Sequence, residues 1–151
     1  TNMIAKIYKI NLDISNKVNL SNESISPEGM GWKKSNIDNK LFLDGYFSSI
    51  LLNIEGEKCH KKSKIKFFID KYYKNQIEPI NLVITINKNN KKEVILRDAI
   101  NNQLVLNFDC KINSKNIIEF NVENPKSLYD LKKGLNRQKK SIILNSLIID
   151  G

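Results

Sequence analysis

Cysteine, histidine, tryptophan, arginine, proline and glycine are all scarce in this 151-residue chain, and each scarcity narrows what it can be. Two cysteines, Cys59 and Cys110, allow at most one bridge, which excludes a disulfide framework. Usage so sparse fits a reducing compartment, so the expected location is cytoplasmic. A single histidine, His60, beside Cys59 leaves too few ligands for an ordinary zinc cage. Neighbouring residues on a strand also point to opposite faces, so Cys59 and His60 do not form a nucleophile and base. No apolar run approaches the roughly 18 residues of a membrane span, and no charged-then-apolar leader opens the chain. A glycine-rich phosphate loop and an Asp-x-Asp metal motif are both missing, so no cofactor is expected. A structural calcium among loop carboxylates stays open as an expectation without an address.

Arginine is scarce against an abundance of lysine. The formal charge of +9 comes from 25 basic residues, of which only Arg97 and Arg137 are arginine. Sequence-reading nucleic-acid binders favour the bidentate guanidinium fork, so nucleic acid is not the expected partner. Ile, Lys and Asn together supply 68 of 151 residues, the pattern of an A+T-rich genome, which accounts for much of the charge.

What the chain does have is alternation. Ile118, Phe120 and Val122 share one face while Glu119, Asn121 and Glu123 share the other, the period of two of a half-buried strand. The same pattern marks Ile4 to Ile14, Leu41 to Leu43, Tyr46 to Ile54, Ile65 to Ile69, Leu82 to Ile86, Glu93 to Leu96, Leu104 to Phe108 and Ser141 to Ile149. Turn signals separate these runs: a Ser21 to Asn39 loop with Pro27, Gly29 and Gly31, a bend at Gly45, and the Asn-rich stretch Asn87 to Asn90. One helical signal stands before the last strand. Asn124-Pro125 is placed as cap and first position, with Leu128, Leu131 and Leu135 at helical spacing, and predicts about two turns. The expectation is all-β: an antiparallel β-sandwich or jelly roll of roughly eight to ten strands with one short helix before the last strand. The chain is read as a single domain over 1–151, cut from a larger protein.

Three pieces of sequence carry a resemblance. They are Gly31-Trp32 followed by Asp44-Gly45; Val83-Ile-Thr-Ile-Asn87 with its return strand; and Phe120-Asn-Val-Glu-Asn-Pro-Lys-Ser127 leading to Leu144-Asn-Ser-Leu147. Their order resembles the carbohydrate-binding-module-like accessory domain of bacterial surface-polysaccharide glycosyltransferases. That family's polar turn holds an aspartate and an arginine, and the resemblance assigns these to Asp130 and Arg137. Its Leu-Gly pair after the arginine is replaced here by Lys139-Lys140-Ser141. The resemblance implies a non-catalytic domain of a sugar transferase making a capsule or other surface glycan, working in the cytoplasm at the inner face of the membrane. It would act by contacting glycan or by docking on the catalytic domain, its partner in the parent chain.

Trp32, Tyr46, Tyr72 and Tyr73 are the aromatic residues that would stack on a sugar ring, although an aromatic near a strand end more often fills a core. Carboxylate pairs such as Asp109 with Glu119, or Asp38 with Asp44, are what glycoside hydrolysis would need, and nothing in their spacing sets them apart from solvated surface acids. Lys58, Lys61 and Lys62 form one basic cluster with Lys64 and Lys66. Lys132, Lys133, Lys139 and Lys140 form a second with Arg137. Either would suit an anionic membrane surface, and the alternative function is a basic module that associates with a membrane surface or with nucleic acid.

Overall fold

The computed structural model describes residues 6–12, 18–20, 28–36, 40–54 and 59–150. Ile4, Ile14, Pro27, Asp38 and Lys58 of the sequence reading lie outside these residues. Among the described residues twelve strands follow in order: β1 (Lys6–Leu12), β2 (Val18–Leu20), β3 (Glu28–Met30), β4 (Trp32–Lys34), β5 (Leu41–Asp44), β6 (Phe47–Leu52), β7 (Ser63–Lys71), β8 (Ile80–Ile86), β9 (Asn90–Leu96), β10 (Asn102–Phe108), β11 (Asn116–Val122) and β12 (Lys140–Asp150). They form two antiparallel sheets. The larger runs β10-β7-β12-β1-β2, with β5 also on β12 and β4 on β5; the smaller runs β3-β6-β11-β8-β9. This is the expected all-β sandwich.

Alternation explains the layers. Ile80, Leu82, Ile84 and Ile86 of β8 and Ile118, Phe120 and Val122 of β11 point inward from the small sheet. Ile65, Phe67 and Ile69 of β7 and Leu104, Leu106 and Phe108 of β10 meet them from the large one. At the centre Phe120 stands edge-on to two rings of the opposite sheet, Trp32 and Phe67, with both centroids 5.3 Å away.

The longest strand, β12, keeps its apolar residues inside only by breaking period. Ile142 and Leu144 are buried, then Leu147 and Ile149, a change of parity that an unbroken strand could not bury on one face. A bulge at Asn145 makes the change, because Leu144 pairs with Ile69 and Leu147 with Phe67, three residues on β12 against two on β7. The opposite edge of β12 is shared, with β1 along Ser146 to Ile149 and β5 along Lys140 to Leu144.

Two departures from the sequence reading have clear causes. The expected Ser21 to Asn39 loop contains β3 and β4, which belong to different sheets. Gly31 is the corner between them, at φ +81°, where a Cβ would sit 2.4 Å from the carbonyl oxygen of Phe47. The expected helix before β12 is absent among the described residues, and residues 128–132 form turns instead. The cap is Ser127, not Asn124. Its Oγ accepts from the Asp130 amide at 3.1 Å, and the Asp130 carboxylate accepts from the Ser127 amide at 2.9 Å, the reciprocal pairing that starts helices. Only one turn follows, because Lys132 at φ 58° leaves the right-handed region and stops propagation. Asn124 is used elsewhere: it accepts from the Asn81 amide and donates to the Pro79 carbonyl.

Candidate functional site

The sandwich has two unlike ends. One carries the Cys59–Cys110 disulfide, so the single bridge that the sequence allowed is formed, and the thiol beside His60 is consumed. Here too a buried pair, Asn87 and Asn116, closes the core: the Asn87 amide donates to Asn116 Oδ1 at 2.9 Å, and the Ile117 amide donates to Asn87 Oδ1 at 2.8 Å. Lys61 and Lys62 are exposed nearby, with Lys64 on β7.

The other end gathers the turns after β3, β5, β7, β9 and β11. Its organiser is Lys71, a lysine only 1% exposed. The ammonium donates to the carbonyls of Gln76, Glu78 and Arg97 at 3.3, 3.3 and 2.9 Å, so all three N–H groups are used on the loops beyond β7 and β9. Asp70 next to it accepts from the Asn101 amide at 2.9 Å and pairs with Lys74 at 3.3 Å. Burial pushes the Asp70 carboxyl up, but the bonds from Asn101, Asn145 and Lys74 outweigh it and leave the pKa below its ordinary value. The 72–79 loop is therefore held from below.

Across from it stands the turn begun by Ser127. Lys139 bonds the Asp130 carboxylate, and together with Ser127 lowers its pKa to about 2. Lys126 pairs with Glu78 at 3.2 Å, tying the two loops together. Between them opens a groove of about 510 Å³ lined by Tyr72, Tyr73, Lys74, Gln76, Ile77, Leu131 and Lys133. Its aromatic floor is the Tyr72–Tyr73 pair, rings edge-on with centroids 4.9 Å apart. Burial, with help from Tyr72 and Asp130, raises the Tyr73 hydroxyl above its usual pKa, so it stays a hydrogen-bond donor in neutral solution. A second depression of about 390 Å³, on the outer side of β8 and β9, is lined by Asn81, Val83, Glu93, Ile95 and Glu123 among others, with no aromatic.

The four aromatics of the sequence reading divide. Tyr72 and Tyr73 line the groove, and Tyr46 is exposed at the same end, where its carbonyl accepts from the Val122 amide. Trp32 is fully buried, with its indole N–H bonded to the Ser49 carbonyl and its ring on Phe120, and offers no face to a ligand. A tryptophan beside the corner at Gly31 fills the interior because the strand turns inward there.

Asp130 and Arg137 share one loop without sharing a bond in it: Lys139 holds Asp130, while the Arg137 guanidinium lies 4.2 Å from the centre of the Tyr129 ring. Lys140 sits over the rings of Phe42 and Tyr72. Lys132, Lys133, Lys139 and Lys140 thus belong to the groove end, and Lys61 and Lys62 to the disulfide end. The length of β7 separates the clusters, roughly 26 Å at about 3.3 Å per residue. Glu119 lies on the outer face of β11 and Asp109 follows β10 at the disulfide end, so that carboxylate pair does not converge. Among the described residues no group of three or more His, Cys, Asp or Glu gathers as a metal set. Gln76, Leu131 and Ser127 were missed by the sequence reading; Ser-x-x-Asp at 127–130 was the available signal for the last.

No family model matches the chain, and no curated protein matches it in sequence. Solved structures do. The CBM36-1 domain of a multidomain xylanase from the hindgut metagenome of Trinervitermes trinervoides superposes with a TM-score of 0.57 at 11% identity, covering 98% of each chain. The chain has the β-sandwich fold of a carbohydrate-binding module. More distant are CBM29_1 of Piromyces equi, at 0.47 and 13% identity over 100% of this chain and 93% of that one. A family 35 carbohydrate-binding module from Clostridium thermocellum matches at 0.41 and 12% over 97% of both. At such identities the likeness describes the sandwich and leaves the groove to be read from its own residues.

Proposed function

We propose that this chain is a non-catalytic glycan-binding module and that the groove between the 72–79 loop and the Ser127 turn is its sugar site. The observation that carries this is the Tyr72–Tyr73 floor, fixed by Lys71 from beneath and flanked by the donors Lys74 and Lys133. A sugar presents an apolar C–H face and a rim of hydroxyls, which an aromatic wall with polar edges complements. Preorganised loops reduce the ordering cost of binding. The sequence resemblance supports attachment to a glycosyltransferase for capsule or other surface glycan, the catalytic domain being its partner. The formed disulfide favours an oxidising compartment over the cytoplasm for that work.

Titration with neutral and uronate-containing oligosaccharides, followed by NMR, tests the reading. Saturable shifts should centre on Tyr73, Lys74, Leu131 and Lys133, and Tyr73→Ala should weaken binding about tenfold. Shifts that avoid this groove, or none with any sugar, would defeat it.

A further inference from the structure

Ile77 is 95% exposed and Leu135 is 89% exposed. Each is a bulky aliphatic side chain on one of the two loops that wall the groove. Single exposed apolar residues are ordinary on a protein surface, but these two share an end with half-exposed Tyr129 and Tyr46. The charge around them is one-sided: residues 72–79 and 123–140 hold seven basic and three acidic residues. Two of those three acids are already paired within the protein, Glu78 with Lys126 and Asp130 with Lys139. Exposed Lys132, Lys133 and Arg137 thus present a net positive surface around the aliphatic tips.

We infer that this end of the sandwich docks onto an anionic phospholipid bilayer, with Ile77 and Leu135 entering the acyl boundary, Tyr46 and Tyr129 at headgroup level, and the lysines on the lipid phosphates. A bilayer is the partner that offers both layers at once, an anionic skin over an apolar interior. A protein partner would be expected to meet a contiguous apolar patch, whereas here the aliphatic tips are on separate loops interrupted by lysines. Nucleic acid supplies the phosphates but nothing for Ile77 and Leu135. The inference does not depend on the sugar reading; were both to hold, the groove would face the headgroup layer, where lipid-linked glycans lie.

Co-sedimentation of the protein with phosphatidylglycerol/phosphatidylcholine vesicles, against phosphatidylcholine alone, is the test. Binding should require the anionic lipid and weaken as salt rises. Ile77→Ser with Leu135→Ser should reduce it about tenfold or more, and Lys132→Gln with Lys133→Gln about thirtyfold. Ile95→Ser on the outer face of β9 should leave it unchanged. All these side chains are exposed, so thermal melts should match the parent and separate lost binding from lost folding. Three results would each overturn the proposal: no sedimentation at low salt, equal binding to neutral vesicles, or loss caused instead by Ile112→Ser with Lys61→Gln and Lys62→Gln at the disulfide end.

Discussion

The indole N–H of Trp32, on the large sheet, donates to the carbonyl of Ser49, on the small one, at 3.2 Å. It is a hydrogen bond between the two layers, buried, and made by the one tryptophan of the chain. Trp32→Phe would keep a ring against Phe120 but remove this inter-sheet hydrogen bond and leave part of the site empty. A loss of about 2 to 4 kcal/mol in chemical denaturation is expected, with glycan affinity unchanged. Weakened sugar binding at full stability would instead restore Trp32 as a contact residue.

Gly31 and Gly45 both have positive φ, yet only one is crowded. A Cβ at Gly31 meets the backbone of Phe47 and Ser48, whereas one at Gly45 meets nothing within 4 Å. Gly45→Ala should cost about 1 kcal/mol, the left-handed backbone penalty alone. Gly31→Ala adds a backbone clash at the corner between sheets and should cost at least about 3 kcal/mol. Equal melting temperatures for the two variants would show that the corner relaxes.

The Cys59–Cys110 bridge spans 51 residues in sequence. By loop-closure entropy it should contribute about 4 kcal/mol, felt in the unfolded chain more than in the folded one. Reduction with dithiothreitol, or replacement of both cysteines by serine, should lower the melting temperature by several degrees, while far-ultraviolet circular dichroism below the melt stays that of a sandwich. An unchanged melt on verified reduction would contradict the entropic argument.

Asp130 has a folded pKa of about 2 against an ordinary 3.8, so its interactions favour the folded turn fully above that ordinary value and lose their hold as the pH falls toward 2. The Ser127 amide and Lys139 resonances should therefore move together with a midpoint near pH 2. Asp130→Asn should remove this titration and loosen the turn at neutral pH. A Ser127 amide titrating at the ordinary carboxylate value would show that the pairing is not formed in solution.

The strands were legible because alternation is a local signal: β8 and β11 could be read residue by residue. The bulge in β12 was legible too, in the parity change from Ile142 and Leu144 to Leu147 and Ile149, though an uninterrupted strand was expected. The helix signal misled because leucines at helical spacing say nothing about the backbone at Lys132, which turns left-handed and ends the helix after one turn. Strands β3 and β4 were hidden among turn-forming residues, since three-residue strands are too short to show a period.

Composition and alternation alone determined that this chain would form antiparallel layers around an aliphatic interior, because the pleat puts successive side chains on opposite faces whatever the neighbours are. Which aromatic residues face inward and which line a groove was decided only by the tertiary structure. Trp32 and Tyr73 are both candidate platforms in sequence. The corner at Gly31 carries one into the core, while the carbonyls gathered by Lys71 hold the loop that leaves the other at the surface.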